Sequence, residues 1–171
     1  QVPGRQIMWD AGGIRKMGDP DENSRNYMIV GIDDQYVPLL DLDLAAGRNF
    51  SRKRPSDRSA LLLNERAVQW LGFTSPRDAV GQAVDYWGEI FTVIGVVRDF
   101  HQQSSKWDFE PHIFRYMEHD PRGRGQLMIS FSSPAGEREM ASILALYNRF
   151  FPGNTVETFW LDTHYDQQYK P

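Results

Sequence analysis

The clearest pattern along the chain is a set of short apolar runs separated by polar, glycine- and proline-bearing stretches. Asn26 to Ile32 (NYMIVGI) is rich in β-branched and aromatic side chains and predicts a strand. Ser59 to Leu63 predicts a short buried strand, with Asn64 placed to cap a helix over Glu65 to Leu71 and Gly72 to end it. Gln82 to Tyr86 and Ile90 to Val97 predict two strands joined by a tight hairpin at Trp87-Gly88-Glu89. The nearly continuous apolar character of Ile90 to Val97 predicts burial on both faces. Further strands are predicted at His112 to Met117, Gln126 to Ser132 and Thr155 to Leu161. Met140, Ile143, Leu144, Tyr147 and Phe151 recur at helical spacing, with Ser133 as cap, Pro134 at the first position and Pro152-Gly153 as the stop. Shorter helical turns are predicted at Gln35 to Leu40 and at Thr163 to Tyr169, and the first 25 residues read as polar lead-in without an element. Strands and helices alternate without a strict βαβ rhythm, which argues an α+β fold.

Composition narrows the functional classes. The chain has 171 residues, 19 basic against 23 acidic, and no cysteine. That excludes disulfides, thiolate metal sites and a cysteine nucleophile. No basic patch suits nucleic acid, the densest run being Arg52-Lys53-Arg54, followed at once by Pro55. No apolar run approaches the roughly 20 residues of a membrane helix. The chain begins at Gln1 rather than Met, so it is expected to be a piece of something longer.

No catalytic constellation emerges. The phosphate-binding loops GxxxxGK[ST] and GxGxxG, the GxSxG elbow and the HExxH zinc motif are all missing. Asp19, Asp21 and Asn23 imitate the opening of a calcium loop, but Ser24 and Val30 stand where glycine and the closing glutamate are needed. Asp99, His101, Asp108, Glu110 and His112 gather imidazoles and carboxylates in a short stretch. They read either as a zinc-dependent hydrolase site or as residues that tie down the loop leaving a strand. Among the tryptophans, Trp70 and Trp160 are expected in the core or at a subdomain interface. Trp9 and Trp107 lie in loops and are the candidate contact surface for a ligand or sugar.

A series of local motifs does carry a resemblance. In order they are Gly47-Arg48-x-Phe50, Ala60-Leu61-Leu62-Leu63-Asn64-Glu65-x-Ala67-Val68-x-x-Leu71-Gly72, Val80-Gly81-Gln82, Val93-Ile94-Gly95-Val96-Val97-x-Asp99-Phe100-His101, Pro111-x-Ile113 and Phe151-Pro152. The succession resembles the MacB-like periplasmic core domain of FtsX-like ABC-transporter permeases, in its Bacteroidetes-type form. The resemblance implies a porter-like α/β-sandwich subdomain from residues 1–58 and 108–171, with a smaller inserted Sabre-like mixed α/β subdomain at 59–107. Gly47, Arg48, Phe50, Asn64, Glu65, Gly81, Gly95, Asp99, Phe100, His101 and Pro111 are then structural residues, with no catalytic, cofactor or metal residue among them. The family's role is non-catalytic. A cytoplasmic ABC ATPase hydrolyses ATP, and the permease transmits the motion to the periplasmic side. The implied partners are that ATPase, a second permease copy and a periplasmic or outer-membrane export component. The alternative from the residues is an extracytoplasmic ligand-sensing or sugar-binding module.

Overall fold

The computed structural model describes residues 9–100, 109–117 and 126–163, and the side chain of Trp9 lies outside that set. Two compact units divide the chain, Gln1–Gln126 and Leu127–Pro171.

The first unit holds seven strands: β1 (Trp9–Lys16), β2 (Arg25–Ile32), β3 (Leu44–Gly47), β4 (Ala60–Asn64), β5 (Ala83–Tyr86), β6 (Glu89–Val97) and β7 (His112–Tyr116). They form one sheet in the order β3-β6-β4-β7-β2-β1-β5, and β5 pairs back onto β6. Six strands therefore close into a ring, β6-β4-β7-β2-β1-β5, while β3 adds to β6 beyond the point where β5 leaves it. The β4–β6 and β2–β7 pairs are parallel and the others antiparallel. Closure leaves the ring strands without a free edge, and inward residues alternate with outward ones along each strand. The segment 59–107 contributes β4, β5 and β6, and each pairs with a strand from outside that segment.

The inward positions form the core. Ile14, Tyr27, Ile29, Leu61, Leu63, Val84, Tyr86, Phe91, Val93 and Ile113 belong to one buried cluster. Helices α2 (Glu65–Trp70) and α3 (Pro76–Ala79) add Ala67, Val68 and Ala79 to it. A second buried layer lies on outward positions, where Val30, Ile32, Leu62, Phe114 and Tyr116 meet Tyr36 and Val37 of α1 (Tyr36–Leu39) and Phe50. The Phe50 and Tyr116 rings lie 5.3 Å apart and those of Tyr36 and Phe114 6.2 Å apart.

Several predicted elements change. β1 forms in the stretch read as lead-in, although Gly12 and Gly13 weaken any local preference. Its pairing with both β2 and β5 supplies what propensity does not, and its register slips between Ala11 and Ile14. β6 is buried on both faces only in its second half. Ile90 is 58% exposed, and Phe91 and Val93 alternate with exposed neighbours until a register shift places Leu62 opposite Gly95. The hairpin loop is two residues, Trp87 and Gly88, both at positive φ (57° and 84°), the backbone of a type I′ turn.

In the second unit the helix α4 runs from Glu137 to Phe150, three residues later than Pro134 suggested. Glu139 Oε2 accepts from the Gly136 N–H at 2.9 Å, and Glu137 and Glu139 place negative charge at the helix start. The strands predicted at Gln126 to Ser132 and Thr155 to Leu161 do not form. Their alternation is present, but no neighbour offers them a ladder among the described residues, and Leu127 stays 85% exposed. Phe131 and Trp160 instead meet ring to ring at 6.0 Å. The turn predicted at 120–125 and most of the one at 163–169 lie outside the described residues.

Candidate functional site: a polar junction at the strand ends

The motif residues gather where β4, β6 and β7 meet the helix α2. Asn64 ends β4 and caps α2, as its position before Glu65 predicts. Its Oδ1 accepts from the Ala67 N–H at 3.0 Å and from the His112 N–H at 2.8 Å, while its Nδ2 donates to the Glu110 carbonyl at 2.8 Å. One buried amide thus holds a helix start and the entry to a strand 48 residues away. The helix then ends in a Schellman motif, with Gly72 N–H bonding Gln69 O, Phe73 N–H bonding Val68 O, and Gly72 at φ 76°.

Glu65 and Asp99 close a reciprocal pair. Asp99 Oδ1 accepts from the Arg66 N–H at 2.9 Å, and Glu65 Oε2 accepts from the Asp99 N–H at 3.1 Å. Two of the helix's orphan N–H groups are therefore bonded from outside the helix. Burial raises the Asp99 pKa against these bonds.

Gly47 and Gly95 mark a close backbone crossing between β3 and β6. Gly47 sits at φ 73°, and a Cβ there would strike the Ile94 carbonyl and lie 2.7 Å from Gly95 Cα. A Cβ on Gly95 would strike the Arg48 carbonyl and lie 3.0 Å from Leu62 Cδ2. That crossing lets the Arg48 N–H reach Ile94 O at 2.9 Å. The Arg48 guanidinium then grips Asp57 bidentately, at 2.7 and 2.8 Å, and Ser51 N–H adds a third bond at 2.9 Å. Asp57 is fully buried; Arg48 holds its carboxyl below the ordinary range, and the pairing raises Arg48 in turn. Asp57 stands among the charged residues that follow Arg52-Lys53-Arg54, and no local signal separates it from them.

The remaining motif residues serve the same frame. Gly81, at φ 86°, donates to Val93 O at 2.8 Å, and the Pro111 carbonyl accepts from Met28 N–H at 2.9 Å. Phe100 stacks on His112 and Phe114, with ring centroids 6.4 and 6.2 Å away. His101 and Trp107 lie outside the described residues, as does the side chain of Trp9.

Of the residues in the zinc reading, His101 and Asp108 lie outside the described set, and the described ones do not converge on an ion. His112 Nδ1 is 2.8 Å from the Glu110 carbonyl, its ring lies against Phe100 and Phe114, and its Nε2 is buried without a partner. Burial pushes its pKa down to about 4, so the ring is neutral near pH 7. Among the described residues no three His, Asp or Glu side chains could share an ion. Beside the junction lies a cleft of about 440 Å³, bordered by Met28, Arg66, Trp70, Phe109, Glu110 and Asp10. Trp70 meets Tyr27 edge to face at 6.2 Å, packed at the core as expected, with Arg25 over its ring.

This constellation consists of caps, a close backbone crossing and one buried ion pair. Comparison with curated proteins gives no match. Among solved structures, the periplasmic region of MacB from Actinobacillus actinomycetemcomitans is similar, with a TM-score of 0.58 and 17% identity over 88% of this chain and 69% of that one. A domain of a putative permease protein from Porphyromonas gingivalis is also similar, with a TM-score of 0.60 and 11% identity over 95% and 83% of the two chains. At such identities the likeness is one of fold. The sequence itself matches the family model of the MacB-like periplasmic core domain over residues 6–141, and the chain belongs to that family.

Proposed function

We propose that this domain, on the periplasmic side of the inner membrane, transmits motion within an ABC-transporter permease and catalyses no reaction itself. A cytoplasmic ABC ATPase supplies the work, two permease copies act together, and an export partner on the periplasmic side receives the domain. The observation that carries the reading is the family match across residues 6–141. The closed sheet supports it, because the Asn64 junction and the Gly47–Gly95 crossing tie distant segments into one body able to move as a unit. The porter-like part (1–58 and 108–171) and the inserted part (59–107) are proposed as its two portions, joined through shared strand pairs. Hydrogen exchange of this domain within the intact transporter tests the reading. Protection should change between the nucleotide-free state and the ATP-bound, hydrolysis-blocked state, and identical exchange in the two states would count against it.

The cleft bordered by Trp70 and Phe109 favours a second reading, a small-ligand sensor. A sugar and amphiphile panel that raises the melting temperature, with loss of the rise in Trp70→Ala, would move the balance to that reading.

A further inference from the structure

The imidazole of His112 sits where one wall of the cleft is fastened, and it is built into the fold as a neutral ring. Its Nδ1 lies 2.8 Å from the Glu110 carbonyl. A carbonyl only accepts, so Nδ1 carries the hydrogen and Nε2 keeps the lone pair. That Nε2 is buried without a hydrogen-bond partner, on a residue 2% exposed. The Phe100 and Phe114 rings stand 6.4 and 6.1 Å from the imidazole. A proton added at Nε2 would create a buried charge whose new N–H meets no acceptor.

The surroundings supply no counter-ion for that charge. β2 brings Met28 beside His112 and β4 brings Asn64, both uncharged. α1, packed on Phe114, carries no charged residue. Arg115 on the same strand has the opposite parity and stacks on Tyr86 and Phe91. The other charged groups of the junction are Glu110 on the same segment, Asp99 beside Phe100, and Glu65 and Arg66 at the start of α2. Burial dominates the His112 ring, with the Glu110 carbonyl bond as the opposing influence, and none of those charges acts on it. Burial also raises the Glu110 and Asp99 pKa, so acid neutralises these carboxylates instead of leaving them to pair with an imidazolium.

The same ring is tied into bonds that shape the cleft. Asn64 holds the segment by Nδ2 to the Glu110 carbonyl and by Oδ1 from the His112 N–H, each at 2.8 Å. Between them the Pro111 carbonyl accepts from the Met28 N–H at 2.9 Å. Met28, Glu110 and Pro111 all border the cleft. The cap of Asn64 on the Ala67 N–H is a separate bond, so the segment can part from Asn64 while α2 stays capped.

We propose that His112 is an acid-sensitive latch: a proton taken up at Nε2 frees segment 110–112 from Asn64 and opens one wall of the cleft. The inference depends neither on the transport reading nor on a ligand in the cleft.

The test is hydrogen exchange of the 171-residue chain, read by NMR at pH 7 and pH 5 and corrected for the intrinsic pH dependence of exchange. With the ring at 6.5 when open and about 4 when closed, opening should become about 20-fold more frequent at pH 5. The amides that report it are His112, bonded to Asn64, and Met28, bonded to Pro111. Their exchange should be nearly insensitive to low urea, because a local opening exposes little surface, whereas Val93, inside the β-ring, should show the full urea dependence of unfolding. His112→Phe keeps an aromatic ring in the stack and should abolish the rise at His112 and Met28. Titration of the His112 ring in the unaltered chain stands should that variant fail to fold, and its midpoint should lie near 4. A midpoint near 6.5, an unchanged response in His112→Phe, or exchange at Met28 and residue 112 that matches Val93 in rate and urea dependence would overturn the latch.

Discussion

Replacing Asn64 by alanine tests whether one buried amide holds the junction together. The substitution removes the cap on α2, leaves the His112 N–H without an acceptor, and takes one of two partners from the Glu110 carbonyl. Loss of an N-cap costs about 1 kcal/mol. Each buried group left unanswered adds about 1–3 kcal/mol, less where a second partner remains, as at Glu110. Together the expected loss is about 3–4 kcal/mol, a large part of the roughly 5–15 kcal/mol that holds a typical domain. Asn64→Ser restores the cap without reaching across to His112 and should recover about 1 kcal/mol of it. Urea unfolding followed by tryptophan fluorescence measures both, with Trp70 on the affected helix. A loss below about 1 kcal/mol for Asn64→Ala, or no gap between the two variants, would refute the reasoning.

Other outcomes follow from the same geometry. Arg48→Met strands the buried Asp57 carboxylate and should cost about 3 kcal/mol at neutral pH. The deficit should shrink in urea titrations near pH 3, because the Asp57 contribution is present above the ordinary carboxylate pKa and is lost as pH falls through its lowered folded value. Gly95→Ala drives a Cβ into the Arg48 carbonyl, and thermal unfolding should show a loss of about 2 kcal/mol or more, with no change expected for Gly88→Ala beyond its turn strain. His112, lowered to about 4 from 6.5, stabilises the folded chain fully above about pH 6.5 and loses that contribution as pH falls toward 4. The amount is about 3 kcal/mol, and His112→Phe should flatten that stretch of the stability–pH curve.

The sequence reading succeeded where structure is local. The Asn64 cap, the Gly72 stop, the Trp87-Gly88 turn and β2, β4 and β7 all follow from a few neighbouring residues. It failed where partners are distant. β1 exists because β2 and β5 take it up, and nothing in its glycine-bearing stretch announces them. Ring closure through β5 and β6 is a property of the whole sheet. The reverse error occurs at Gln126 to Ser132, where a strand-like alternation meets no ladder. Of the junction, Gly47, Arg48 and Gly95 were legible as a motif, but the partner that gives Arg48 its purpose, Asp57, sits in a run of charges and reads as surface.

The central claim is that this domain moves with the ATP cycle of a two-copy transporter. Because the chain has no cysteine, Arg77→Cys on the exposed side of α3 provides a unique attachment point for a spin label within it. Electron–electron distance measurement between the two labels in the lipid-embedded transporter tests the claim most directly. The account predicts a distance distribution that shifts between nucleotide-free and ATP-bound, hydrolysis-blocked states. A single distribution unchanged by nucleotide, or no measurable pair of labels, would contradict it.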